Sequence, residues 1–147
     1  MNELKAYVLG ACALLGGLLG QLFGGWTAAL GTLIFCMAVD YVTGLIVAGV
    51  FHTSDKTPGG GLESRAGWKG LCRKGVTLLI VLVASRVDRA LGTAFVRDAV
   101  IVGYIANEVI SIIENAGLMG VPIPDALVQA IDALQGKDRY GDSDETV

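Results

Sequence analysis

The sequence predicts an all-α, polytopic membrane protein with three to four transmembrane helices and a short C-terminal amphipathic helix. The 147 residues are 53% hydrophobic and only 17% charged, and their mean hydropathy is +0.61. A soluble domain of this length rarely has this composition. The charged residues are clustered in the middle and at the C-terminus, which leaves long apolar stretches. These stretches predict spans at about residues 6–23, 27–51, 70–91 and 96–116.

The first predicted span is rich in small residues. Gly16, Gly20 and Gly24 recur every four residues, and Gly44 lies on a small-residue face of the second span. Because glycine lets another backbone approach closely, these four positions are predicted to pack against helices. A cleaved signal peptide is the alternative for this segment, but the apolar stretch is long and no A-x-A cleavage site follows it.

The second span, residues 27–51, carries one acidic residue near its middle, Asp40. A carboxylate at this depth needs a partner or a proton, because burial in a low dielectric disfavours its charge. Two interpretations stay open here. Asp40 either accepts an interhelix hydrogen bond with a structural role, or it acts in assembly or gating.

A loop at residues 52–74 is predicted to follow. It begins with a turn-forming, glycine-rich stretch and holds five of the eleven basic residues. By the positive-inside rule the loop faces the cytoplasm, which puts both termini there if four spans are present. A nucleic-acid partner is disfavoured because these residues flank a membrane segment. The basic residues of this predicted cytoplasmic loop are Lys56, Arg65, Lys69, Arg73 and Lys74.

The third span, residues 70–91, contains only a short apolar run of nine residues at 76–84, in which Thr77 is the one polar residue. Nine residues give about 14 Å of helix, so a span needs its flanking basic side chains to reach the headgroups. The segment is therefore predicted either to span at rest or to enter the membrane only when oligomers form.

The fourth span, residues 96–116, carries polar groups in an otherwise apolar helix. Spacings of three and four place Glu108, Ser111 and Asn115 on one face. A carboxylate near the bilayer centre costs about 2.5–3.5 kcal/mol on insertion scales, so this face must avoid lipid. It either joins helices or lines an aqueous lesion. The predicted pore-lining or assembly face comprises Tyr104, Asn107, Glu108, Ser111, Glu114 and Asn115.

Glycines and prolines at residues 117–124 end this span and close a predicted transmembrane domain at residues 1–124. Residues 125–136 predict an amphipathic helix, which could lie on the inner leaflet or pack against a neighbouring subunit. Residues 137–147 predict a disordered acidic tail.

No pattern typical of an enzyme is present. The single histidine, His52, cannot supply a catalytic set, and Glu108 and Glu114 project about 240° apart on a helix. The three cysteines, at positions 12, 36 and 72, read as small hydrophobes. The sequence therefore predicts no catalytic residues, no metal site, no disulfide and no cofactor.

Several blocks of the chain, between about residues 30 and 134, resemble the phage holins of the toxin-secretion and lysis type. This family includes the clostridial toxin-release holins. The block N-E-x-x-S-x-x-E-N followed by G-V-P-I-P is the most specific. The matching residues are DYVTG at 40–44, SRAGWKGL at 64–71 with Lys74, YIANEVISIIENA at 104–116 and GVPIP at 120–124.

The resemblance implies a protein of the bacterial cytoplasmic membrane that accumulates and then oligomerises abruptly into lesions. The implied partners are the lipid bilayer and further copies of the chain, with an antiholin as a candidate partner. A cytoplasmic cell-wall hydrolase (endolysin), or a toxin, would be released as cargo without a specific binding site. Two features depart from the family pattern, namely the long glycine-rich insertion at residues 53–63 and the acidic tail.

Two other functions fit the same sequence. A small channel or transporter subunit would use Asp40 and Glu108 to bind an ion or a proton. An antiholin or membrane scaffold would bind a holin and form no pore. The size of the species that crosses the membrane distinguishes a holin from a channel, and lysis on expression alone distinguishes a holin from an antiholin.

Overall fold

The computed structural model of the chain describes residues 2–134, and this part consists of helices joined by turns. The predicted acidic tail lies outside the described residues. No strand occurs within the described range, which confirms the all-α class. The helices are α1 (Asn2–Leu22), α2 (Ala28–Ile46) with a π-helical continuation (Val47–Phe51), α3 (Ser64–Leu91), α4 (Phe95–Leu118) and α5 (Asp125–Leu134).

Two helical segments are long and apolar enough to cross a membrane by length and composition, Glu3–Leu22 and Ala28–Phe51. The helices α3 and α4 have 28 and 24 residues. At 1.5 Å per residue these lengths also exceed the hydrocarbon thickness of about 30 Å. Their crossing of the membrane stays a prediction.

The structure differs from the sequence prediction at the start of α3. The predicted basic loop extends to residue 74, but α3 already begins at Ser64, so Arg65, Lys69, Arg73 and Lys74 all lie on the helix. The first three recur every four residues and therefore share one helical face. Two glycines, Gly67 and Gly70, lie among these residues within the helix. Each such glycine costs about 1 kcal/mol in a helix, which the rest of a long helix can offset.

A glycine turn ends α1 and reverses the chain. Gly24 and Gly25 have φ angles of 78° and 104°, and their N–H groups donate to the carbonyls of Gln21 and Gly20. This is the Schellman arrangement, which satisfies carbonyls that the helix end would leave free. Helix α2 then begins at its cap, Thr27, whose side chain accepts from the Leu30 N–H.

Trp26 folds back from this turn onto α1. Its Nε1–H donates to the Gly16 carbonyl at 2.9 Å, and its ring covers Gly20 so closely that a Cβ there would lie 2.5 Å from it. Gly24 faces Ser85 and Arg97. The predicted glycine stripe is thus occupied largely by side chains of the same chain, and packing of these glycines against another copy stays a prediction.

The apolar core forms where α4 packs against α2 and α3. The core contains side chains from all three helices, and each of these side chains is at most 5% exposed. Its members are Leu30, Leu33, Met37, Val81 and Ile101.

The outward faces of the helices are also apolar. Leu14, Phe35, Leu79 and Val102 are each at least 60% exposed. Contiguous apolar surface of this kind is unusual on a soluble monomer, but it suits lipid. The bundle therefore has a small apolar core and a lipid-compatible exterior.

Helix α1 makes few contacts along its length, and only 6% of its apolar window is buried. Polar side chains of α3 and α4 bind backbone carbonyls at its C-terminal end. Arg97 Nη1 donates to the carbonyls of Phe23 and Gly24, and Arg89 Nη2 donates to the Gln21 carbonyl. Ser85 Oγ lies 3.5 Å from the Leu22 carbonyl. Positively charged side chains are stabilised at this position because a helix C-terminus carries partial negative charge.

The corner between α3 and α4 depends on Asp88. Its carboxylate accepts from the N–H groups of Val96 and Arg97, in the first turn of α4, and from the Thr93 hydroxyl. Acceptors are favoured there because the first four N–H groups of a helix lack internal partners. Asp88 on α3 therefore fixes where α4 begins and directs Arg97 toward α1.

Substitution of Gly24 by alanine is expected to destabilise the protein by about 1–3 kcal/mol, because a side chain is strained at positive φ. The added Cβ would also lie 2.8 Å from Ser85 Oγ and 2.9 Å from Arg97 Nη1. Chemical unfolding in detergent micelles, followed by circular dichroism, measures the change. Gly17→Ala is the matched control, since Gly17 is helical with open space around it and alanine favours helix. Equal stability of the two variants would contradict the prediction.

Candidate functional site: a buried charge cluster between three helices

Three charged side chains from three helices meet in the interior of the bundle. Lys74 Nζ on α3 donates to Asp40 Oδ2 on α2 at 2.7 Å and to Glu108 Oε2 on α4 at 2.5 Å. The three side chains are 14%, 12% and 8% exposed, respectively. One ammonium thus neutralises one of two carboxylates, and the group retains a formal charge of −1.

Two neutral side chains complete the site. Asn115 Nδ2 on α4 donates to Asp40 Oδ1 at 3.1 Å and to Thr43 Oγ1 at 3.0 Å. The Thr43 hydroxyl in turn donates to the Asp40 carbonyl one turn earlier on α2. We refer to Asp40, Thr43, Lys74, Glu108 and Asn115 as the Lys74 cluster.

The helices supply these groups through simple spacings. Asp40 and Thr43 lie three residues apart on α2, and Glu108 and Asn115 lie seven residues, or two turns, apart on α4. Gly44 faces the cluster, where a Cβ would lie 3.8 Å from Asn115 Nδ2. No buried side-chain nitrogen or oxygen in the described part of the chain lacks a hydrogen-bond partner. The cluster is therefore fully satisfied, as buried polar networks must be.

The predicted polar face of α4 divides between the cluster and its surroundings. Glu108 and Asn115 are buried in the cluster, and Ser111 lies between them along the helix. Tyr104 packs instead against the apolar core. Asn107 and Glu114 are exposed. The structure thus places part of this face against other helices, and its proposed role in a pore stays a prediction.

A cavity of about 520 Å³ opens beside the cluster, between α2, α3, α4 and the connection before α3. Asp40, Lys74 and Glu108 form part of its wall, together with Ser111 and Asn107. Three further basic residues of the predicted loop line it, namely Lys56, Lys69 and Arg73. Arg65, the remaining one, is exposed and does not line the cavity.

The sequence prediction places Lys74 in the loop and does not pair it with the buried acids. A signal for it exists in the sequence. Lys74 and Arg86 flank the apolar run of α3, each two residues from one end, and both Asp40 and Glu108 need a counter-ion at hydrocarbon depth; the sequence therefore offers two candidate partners without choosing between them. The sequence also gives no signal for a second set, Ser85, Asp88 and Arg97, because most of its contacts are to backbone atoms far along the chain or in the next helix.

The geometry of the cluster suits an exchange of hydrogen-bond and ion-pair partners better than a catalysed reaction. Its carboxylates are occupied by an ammonium and an amide, and within residues 2–134 no group of three or more potential ligands is placed to hold a metal ion. A buried ion pair has a stability close to that of alternatives in which both partners are solvated, because desolvation offsets most of the attraction. The cluster is therefore suited to exchange protein partners for water.

The profile of the bacteriophage holin family matches residues 17–136 of the chain. A protein of Halalkalibacterium halodurans is 37% identical over 139 residues, which cover 90% of this chain and 97% of that protein. A 14.9 kDa protein in the nagH 3′ region of Clostridium perfringens is also 37% identical, over 93% of this chain and 99% of its own length.

A further relative comes from a phage. The probable holin of Bacillus phage phi105 is 33% identical over 98 residues, which cover 66% of this chain and 67% of that protein. No solved structure matches the chain. The family profile covers most of the sequence, including every residue of the Lys74 cluster. The chain therefore belongs to the bacteriophage holin family.

Proposed function

We propose that this protein is a holin that oligomerises in the bacterial cytoplasmic membrane and forms lesions through which a cytoplasmic endolysin, or a toxin, crosses. Family membership indicates a membrane protein without enzymatic activity. The observation that carries the proposal is the Lys74 cluster. It conceals two acids inside a bundle whose exterior is apolar.

At low surface density the cluster keeps Glu108 and Asn115 on the polar face of α4 away from lipid. Association of further copies offers a different arrangement, in which polar faces of several chains meet around water and apolar faces meet lipid. A buried ion pair contributes little net stability. Hydration of the separated Lys74 ammonium and carboxylates therefore offsets most of the free energy needed to separate them. The transition needs no covalent step.

The same geometry argues against an ion channel or proton transporter. In such a protein Asp40 and Glu108 would need to receive a mobile cation, but the Lys74 ammonium occupies the position between them. An antiholin remains distinguishable by experiment, since it would not lyse cells when it is produced without a holin.

Substitution of Glu108 by leucine is expected to delay lesion formation strongly or abolish it, because α4 then loses the acid that water would solvate. The assay is induced expression in a bacterium that carries a cytoplasmic endolysin, with release followed by culture turbidity and by endolysin activity in the medium. Membrane fractions are immunoblotted so that equal accumulation of the variants is established. Release with unchanged timing and extent would contradict the proposal.

Two variants serve as controls for this experiment. Asp55→Leu removes one exposed acid that lies outside the helices and makes no contact with the cluster, so its timing should match the original chain. Glu108→Gln keeps an oxygen acceptor for Lys74 but removes the charge, so its delay should lie between those of the other two variants.

A further inference from the structure

The cavity beside the Lys74 cluster extends along the end of the bundle that carries the connection before α3. Its wall includes parts of α2 between residues 40 and 48, of α3 between 63 and 77, and of α4 between 107 and 114. The Thr53 hydroxyl on the connection donates to the Leu118 carbonyl at 3.0 Å, so the C-terminal end of α4 lies at the same end of the bundle. The cavity therefore leads from the connection to the level of the cluster.

The lining of the cavity is strongly polar but electrically neutral. Glu63 and Glu114 line it in addition to the charged residues named above, which makes four cations and four carboxylates among the described residues. A neutral lining selects neither an anion nor a cation, but charged groups that are removed from bulk water still need solvation. Acyl chains of lipid do not provide it, because hydrocarbon has no hydrogen-bonding groups. Water is therefore the occupant that this lining favours.

The cavity has room for this water and brings it to the cluster. Its volume of about 520 Å³ corresponds to about 15–20 water molecules at about 30 Å³ each. Asp40, Lys74 and Glu108 all line the cavity, and their side chains keep 12%, 14% and 8% exposure. Gly70 on α3 also lines it, and a Cβ there would meet no atom within 4 Å. The space beside the cluster is thus not filled by side chains.

The cavity also extends below the level of the membrane surface. Trp68 on α3 is 66% exposed, and exposed indoles concentrate at the headgroup level of a bilayer. Thr77, which lines the cavity, lies nine residues further along the same helix, a rise of about 14 Å. We propose that the cavity is a water-filled inlet that opens at the connection before α3 and hydrates the Lys74 cluster before any lesion forms. This inference rests on the membrane placement in the proposed function, and not on lesion formation.

The test labels single cysteines in the full-length chain with a charged, membrane-impermeant thiol reagent, in membranes collected before release begins. The three natural cysteines are first replaced by alanine. Ser111→Cys and Thr77→Cys place a thiol in the cavity wall. Val109→Cys and Leu79→Cys, each two residues away on the same helix, place it on the exposed outer surface. The two cavity thiols are expected to react roughly tenfold or more faster than the two outer ones, because hydrocarbon disfavours the reactive thiolate.

Asp55→Cys, on the exposed connection, is the reference for the side of the membrane on which the inlet opens. Spheroplasts and inverted membrane vesicles present opposite faces to the reagent. Ser111→Cys is expected to react only in the preparation in which Asp55→Cys reacts, and reaction from the other side would overturn the proposal. Equally slow reaction of all four helix positions would show that there is no inlet. Equally fast reaction of all four would show that these helices are not in the membrane, and would overturn the placement on which the inference rests.

Filling the cavity provides an independent test. Gly70→Leu is expected to slow the labelling of Ser111→Cys several-fold, because the new side chain displaces water from the cavity. Gly75→Leu is the matched control, since Gly75 lies on the same helix with open space around it but does not line the cavity. Leucine favours helix over glycine at both positions, and immunoblots of membrane fractions verify equal amounts. Equal labelling rates in the two variants would overturn the proposal. Lysis assays on the same variants test the holin function separately.

Discussion

Substitution of Lys74 by methionine is expected to lower the free energy of unfolding by about 3–5 kcal/mol, the range found when one partner of a buried ion pair is removed. Methionine fills a similar volume but donates no hydrogen bond, so Asp40 and Glu108 remain in the interior without their shared counter-ion. The measurement is chemical unfolding in detergent micelles, with helical content followed by circular dichroism.

Two controls separate this effect from a general effect of losing a lysine. Lys69→Met removes an exposed ammonium five residues earlier on the same helix and should change stability little. The triple variant Asp40→Asn, Lys74→Met, Glu108→Gln has no charge in the cluster and should recover most of the lost stability. If the triple variant were as unstable as Lys74→Met alone, unpaired charge would not be the cause.

Substitution of Arg97 by methionine is expected to release the C-terminal end of α1 while the rest of the bundle remains folded. The guanidinium donates to the carbonyls of Phe23 and Gly24 at 3.2 and 2.9 Å. Hydrogen bonds to charged groups contribute about 1.5–3 kcal/mol. Their loss corresponds to roughly 10- to 150-fold faster hydrogen exchange of the amides in the Gly24–Gly25 turn.

Exchange measured by mass spectrometry on peptides from this turn tests the prediction. Arg86→Met is the control, because Arg86 is exposed on α3 and makes none of the contacts to α1. Peptides from the core of α2 and α4 serve as an internal reference and should exchange at an unchanged rate. Uniformly faster exchange along the whole chain would indicate global destabilisation and contradict a local role for Arg97.

The sequence predicts the helices better than their contacts. The apolar stretches predict the ends of α2 and α4 to within a few residues, because the length of an apolar stretch can be read directly from the sequence. The sequence prediction continues the loop past Ser64, where α3 begins, because a basic stretch there follows a turn-forming one. Gly92, by contrast, ends α3 with a positive φ, and sequence alone does not give that angle.

The candidate site was predictable in part. The cost of a carboxylate at hydrocarbon depth predicts that Asp40 and Glu108 avoid lipid, and both do lie inside the bundle. The identity of their shared partner was not predictable. It depends on the register of α3 against α2 and α4, which brings Lys74, and not the neighbouring Arg73, into contact with both carboxylates. No local pattern encodes that register.

The attachment of α1 has an evolutionary consequence. Ser85, Arg89 and Arg97 contact main-chain oxygens, which every amino acid supplies, and so they impose almost no constraint on the side chains of α1. Another apolar segment could replace that helix, provided that it kept a glycine at the position of Gly20 and ended in the same Gly-Gly-Trp corner. The rest of the bundle holds that helix mainly through main-chain atoms, so most side chains of α1 could change without a compensating change in the charged interior.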